Sequence, residues 1–150
     1  MPDQDSGVTK IIEPLAKFHA RVSTKGRIAI PKETRSLFEL EYGDYLSLII
    51  RKLDFSTKLP LKRAFLIAKL SSSGQIVVPK QLLNELDIQI GEIVEVLLVG
   101  IVKTREILSH ANIPSEYKEW IVKKGFSLLS EHDEQDFIAR FIHTPYMPQM

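Results

Sequence analysis

The chain repeats itself, and no other feature limits its fold as strongly. Sliding the sequence by 48 residues lays 22–50 on 70–98 without a gap. Six positions are identical: Ser23/Ser71, Gly26/Gly74, Ile28/Ile76, Pro31/Pro79, Lys32/Lys80 and Gly43/Gly91. Others keep their character, as in Ile30/Val78, Leu40/Ile88, Asp44/Glu92, Leu46/Val94 and Leu48/Val96. Turn residues and apolar rhythm persist together, which indicates an internal duplication.

Each copy reads alike. A β-rich stretch (18–22; 64–70) meets a polar turn carrying Gly26 or Gly74, where glycine tolerates positive φ. A second strand follows (27–30; 75–78). Pro31 and Pro79 stop it and open a helix of one or two turns (32–38; 80–86). Gly43-Asp44 and Gly91-Glu92 then turn the chain into a third strand (45–51; 93–102). A copy of about 45 residues is too small to bury an adequate core unaided. With no cysteine in the chain, no disulfide can help. The two copies are therefore expected to interleave. The fold class is mainly β with short helices, and the segments are 1–16 as a tail, 17–52 and 64–103 as repeats, 53–63 as a linker and 104–150 as a helical extension.

With 44% apolar and 26% charged residues the chain can bury a core. Its net charge of +1 conceals an uneven distribution: −2 over 1–16, +6 over 17–63, −1 over 64–103 and −2 over 104–150. On alternating strand positions Arg21, Lys25 and Arg27 share a surface around the first hairpin, and Arg35 lies on the adjoining helix. Such a patch neutralises phosphates, and a β-ribbon fits the major groove of duplex DNA. In the second copy Lys25, Arg27 and Arg35 become Ser73, Gln75 and Leu83. Lopsided binding by the first copy follows as an expectation.

The stretch from Ser23 to Arg35, containing Gly26-Arg27, Ile30-Pro31 and Arg35 and followed by Phe38, Leu40 and Gly43-Asp44, resembles the AbrB/MazE-type (SpoVT-AbrB-like) DNA-binding domain. The second copy is similar but more degenerate. The resemblance covers about two thirds of the chain, residues 18–102. It implies a swapped-hairpin β-barrel, normally built by two chains and here formed as an intrachain pseudo-dimer. It also implies that Arg27 and Arg35 are the main contacts to double-stranded DNA, with Lys25, Arg21 and Lys32 in support. A transcriptional regulator is the function implied. The alternative is an antitoxin or adaptor whose C-terminal segment engages a toxin or another protein.

Residues 104–150 have no counterpart upstream. Pro114 marks a helix start, Tyr117, Trp120 and Ile121 form one apolar face, and Lys123, Lys124 and Gly125 close that helix. Ser130 and Asp133 form an N-cap arrangement, followed by a stripe of Phe137, Ile138, Phe141 and Ile142 that stops near Thr144-Pro145. Two such helices need something to cover, either the chain's own barrel, the same helices of another copy or a partner protein; Tyr117, Trp120, Ile121, Phe137, Ile138 and Phe141 are the candidate contacts for homo-oligomerisation or a partner. His19, His110, His132 and His143 lack metal-ligand spacing, and no nucleophile elbow or phosphate loop occurs. No cofactor, no metal and no enzymatic activity are expected. The polar start, 1–7, is unlike a secretory signal, and the longest apolar run, 96–102, is too short to span a bilayer. A cytoplasmic location and no membrane partner are the corresponding expectations.

Overall fold

The computed structural model describes residues 11–109, 113, 115–123 and 125–145. Pro114, Lys124, His110 and the segments 1–7 and 146–150 lie outside them. Among the described residues seven strands form two antiparallel sheets: β1 (Ala16–Arg21), β2 (Arg27–Ala29), β3 (Tyr45–Leu53), β4 (Pro60–Lys69), β5 (Gln75–Val77), β6 (Ile93–Val102) and β7 (Phe126–Leu129). The larger sheet has the order β1-β6-β3-β4-β7, and β2 pairs with β5 in a two-stranded ribbon. Helices α1 (Lys32–Leu37) and α2 (Lys80–Glu85) follow the ribbon strands. Three more, α3 (Thr104–Leu108), α4 (Ser115–Lys123) and α5 (Glu131–Phe141), follow β6.

Every strand of 16–53 finds its ladder partners in 60–102: β1 on β6, β2 on β5, and β3 between β4 and β6. Neither segment has a strand pair of its own. The register is also invariant to the 48-residue shift. Phe18 opposite Val96 corresponds to Leu66 opposite Leu48, and Leu48 opposite Leu98 corresponds to Val96 opposite Ile50. Two pairs, Ile28 with Ile76 and Ile49 with Leu97, map onto themselves. Reciprocal turn bonds obey the same rule: Ile30 N–H donates to Gly74 O (3.0 Å) and Val78 N–H to Gly26 O (2.8 Å).

The expected closed barrel does not form. Both sheets are open. Pro31 and Pro79 stand just beyond the three-residue ribbon strands, and a residue without an N–H cannot carry a ladder onward. The ribbon instead lies across one face of the larger sheet. Ile28, Ile30, Ile76 and Val78 are buried there with Leu46, Leu48, Leu66, Val96 and Leu98. The stretch read as a linker is strand at both ends with a turn between them: β3 runs to Leu53 and β4 starts at Pro60.

The opposite sheet face is covered by the C-terminal helices. Ile49, Phe65, Leu97 and Val99 pack with Tyr117, Ile138 and Phe141. Burial on both faces explains why β6 reads as an unbroken apolar run. Tyr117 is fully buried, its hydroxyl 2.5 Å from Ser47 Oγ and donating to Phe141 O at 3.0 Å. Burial raises its pKa well above the ordinary phenol range. The hydroxyl fits because β6 carries Gly100 beneath it, where a Cβ would lie 2.0 Å away.

Of the expected uses of the C-terminal face, packing on the chain's own strands is the one seen here. Tyr117, Ile138 and Phe141 are buried under their own chain, and Trp120, Ile121 and Phe137 are half-buried there. The stripe covers the sheet of its own molecule. The Ser130 cap forms as read: Asp133 N–H donates to Ser130 Oγ (3.1 Å) and Ser130 N–H to Asp133 Oδ2 (3.2 Å). Strand β7 and helix α3 are additions. Four residues of β7 pair with β4 between Arg63 and Leu66, extending an edge that local pattern alone does not reveal.

Two ion-pair groups fasten the layers. His19, Glu95, Arg51 and Arg63 are successive neighbours across β1, β6, β3 and β4. Glu134 of α5 joins them, accepting from Arg51 Nε at 2.9 Å and lying 3.1 Å from Arg63 Nε. At the far end of β6, buried Lys103 donates to Asp44 Oδ2 at 2.6 Å and also to Glu39 O.

Candidate nucleic-acid interface

The ribbon has one buried face and one outer face. Period-two alternation turns Ile28 and Ile76 inward and leaves Arg27, Ala29, Gln75 and Val77 on the outer face. Arg27 stands opposite Val77, and Ala29 opposite Gln75. At each end the preceding turn brings its own glycine close to the other segment.

The first turn holds Lys25 in a left-handed conformation (φ 68°) followed by Gly26 (φ 72°). A Cβ on Gly26 would lie 2.5 Å from Val78 O, so glycine is required for the close approach. Lys25, Gly26, Lys80, Leu83 and Asn84 line a shared groove at this end. The second turn is built by serines: Ser71 Oγ accepts from Gln75 N–H (3.1 Å), lies 3.0 Å from Ser73 Oγ, and Ser73 Oγ donates to Gln75 Oε1 (3.3 Å). Over its Gly74 lies the guanidinium of Arg35, which donates from Nε to Ile30 O at 3.0 Å.

The five cations named from sequence thus separate into three places. Lys25 and Arg27 belong to the Gly26 end, which Lys80 joins from the second segment. Arg35 belongs to the Gly74 end, on the turn of the other segment, and exposed Lys32 opens its helix. Arg21 belongs to neither. It lies on β1 opposite Ile93 and donates from Nη1 to Gly91 O at 2.6 Å, in a separate cleft with Lys52, Phe55 and Lys58.

Interleaving therefore redistributes the charge. Sequence partition put the basic groups in one half; strand pairing places Arg35 beside the neutral Ser/Gln turn and Lys80 beside the first turn. Sequence reasoning passed over Val77 on the free face, and it knew Gln75 and Lys80 only as the second copy's counterparts of Arg27 and Lys32. The signal available was the register itself, since the 48-residue shift assigns Gln75 to the place of Arg27. Among the described residues no group of His, Asp and Glu is arranged to hold a metal ion, and no helix is long and apolar enough to cross a membrane.

Such a face offers guanidinium, ammonium, amide and small apolar groups on one short ribbon. Cations at both ends suit phosphates on either side of a groove, and Arg and Gln suit base edges.

Comparison with known proteins bears on this geometry. Residues 67–101 match the family model described as antidote-toxin recognition MazE, bacterial antitoxin. The match runs from the end of β4 through β5, α2 and β6, whose partner strands come from the unmatched first segment. No curated protein matches the chain. A solved structure, the solution structure of PHS018 from Pyrococcus horikoshii, is similar with 37% identity and a TM-score of 0.56. The similarity covers 63% of this chain and 99% of that one.

Proposed function

We propose, for a chain whose residues 67–101 carry a MazE antitoxin domain of the AbrB/MazE superfamily, that it is a DNA-binding transcriptional regulator. In this reading 16–53 and 60–102 are duplicated halves acting as a covalent pseudo-dimer with swapped hairpins, and the protein acts in the cytoplasm by occupying duplex DNA. The observation that carries the reading is the free ribbon face of Arg27, Ala29, Gln75 and Val77, flanked by Lys25 and Lys80 at one end and Arg35 at the other. Arg27 and Arg35 contact the duplex from opposite ends. Lys25, Lys32 and Lys80 neutralise phosphates, giving affinity that falls with salt. Arg21, held by Gly91 O, is an outlying phosphate contact.

An antitoxin reading draws on the matched family's description. The C-terminal helices are engaged with their own sheet, so a toxin would meet their outer faces or a different surface. The two readings separate experimentally. A regulator binds duplex DNA alone, and Arg27→Ala and Arg35→Ala each weaken that binding about tenfold, equivalent to ~1.4 kcal/mol. An antitoxin co-purifies with a small toxin, and those substitutions leave the complex intact. Unchanged duplex affinity in both variants contradicts the regulator reading.

A further inference from the structure

The two ends of the ribbon share much of their backbone and differ in chemistry. The shift that maps Ile28 onto Ile76 exchanges Arg27 with Gln75, Ala29 with Val77, Lys25 with Ser73 and Arg35 with Leu83. Yet much of the framework repeats, Lys25 (φ 68°) and Ser73 apart: φ is 72° at Gly26 and 76° at Gly74, 93° at Gly43 and 94° at Gly91, 51° at Glu39 and 57° at Asp87. A twofold scaffold with unlike side chains in like places is a directional reader.

We infer that this chain recognises a non-palindromic duplex in one fixed orientation, with a G·C pair under the Arg27 end and an A·T pair under the Gln75 end. The inference rests on the DNA-binding reading and extends it to the class of site. Arg27 is exposed on the outer face of β2, and a guanidinium donates two hydrogen bonds to guanine O6 and N7. Gln75 occupies the equivalent place on β5. Its Oε1 accepts from Ser73, which orients the amide, and an amide pairs with adenine N6 and N7. Exposed Val77 stands opposite Arg27, and Ala29 opposite Gln75. Both are small apolar groups able to meet a thymine methyl.

Affinity need not be lopsided for the reading to be polar. Charge is present at both ends, as Lys25 and Lys80 at one and Arg35 at the other, so both halves of the site are held while the bases beneath them differ. Two identical chains arranged with exact symmetry would present the same group twice and select a palindrome. One chain carrying two unlike halves has no such constraint.

Enrichment of bound duplexes from a randomised pool tests this with the full-length chain. The wild type is expected to select a non-palindromic site, and inverting one half of that site weakens binding at least tenfold. Gln75→Arg, which restores the same group at both ends, is expected to select G·C in both halves; Arg27→Gln is expected to select A·T in both. A palindromic wild-type site overturns the inference while leaving DNA binding in place, as does retention of duplexes with no sequence enriched. Failure to retain any duplex ends the DNA-binding reading and this inference with it.

Discussion

The guanidinium of Arg35 lies on Gly74, and Leu83, its positional counterpart, lies on Gly26. A Cβ built on Gly74 would sit 2.9 Å from Arg35 Cζ, and one built on Gly26 would sit 3.3 Å from Leu83 Cδ1. Each helix residue therefore packs on the turn of the other segment. The four residues tie both ends of the ribbon to the helices.

Gly26→Ala and Gly74→Ala are expected to differ in consequence. Both require left-handed backbone, which costs an ordinary residue about 1–2 kcal/mol. At Gly26 the new methyl also meets a backbone carbonyl, Val78 O, that cannot move alone. At Gly74 it meets the end of an arginine that can swing aside. Urea unfolding should show the larger loss for Gly26→Ala. Duplex binding should fall for Gly74→Ala at little further cost in stability, because Arg35 is displaced.

Gly100→Ala should loosen the C-terminal layer. Its methyl would overlap the Tyr117 hydroxyl and lie 2.4 Å from Phe141 O. Overpacking of this kind costs about 1–3 kcal/mol. Hydrogen exchange in α4 and α5 should speed up well before exchange in the ribbon, since the ribbon belongs to the other core. Equal acceleration in both would contradict a two-core structure.

Much of this architecture was legible in sequence. Gly26, Pro31 and Gly43, recurring 48 residues on, located the turns and strand ends, and Ser130 with Asp133 located the start of α5. Pairing was legible only as a requirement, since a half-size copy cannot bury Ile28 or Ile76 by itself. The open sheets, β7 and the position of Arg35 were not. Local pattern does not state which edge a four-residue strand will extend, nor which turn of the other segment a long side chain will reach. Arg21 illustrates the same limit: strand alternation grouped it with Lys25 and Arg27, whereas Gly91 O draws it into another cleft.

Lys103→Met tests the buried ion pair at the end of β6. Lys103 and Asp44 are each almost fully buried, 2.6 Å apart. Removing the ammonium leaves the Asp44 carboxylate unpaired in the interior, a change that costs about 3–5 kcal/mol. Lys103→Met with Asp44→Leu should recover most of the lost stability. If the double variant is no better than the single one, the loss does not come from an orphaned charge.

Ser130→Ala should destabilise α5 by about 0.5–2 kcal/mol through loss of the cap. Hydrogen bonds from the Ser130 side chain and backbone hold the Asp133 carboxyl below its ordinary value of 3.8. A carboxylate whose folded pKa is depressed adds stability above its unfolded pKa and loses it as pH falls through the folded one. The penalty of Ser130→Ala should therefore be full near neutral pH and shrink under acid below pH 4. A penalty that grows on acidification contradicts this assignment.

Salt dependence of duplex binding tests the central claim most directly: interleaving gathers cations from both segments at the two ends of one ribbon. The logarithm of the binding constant should fall linearly with the logarithm of salt concentration. Lys32→Ala combined with Lys80→Ala should reduce that slope by about 1.8, the contribution of two phosphate contacts at ~0.9 each. Single substitutions at opposite ends should each remove about half. Binding insensitive to salt, or a slope unchanged in the double variant, would contradict the account.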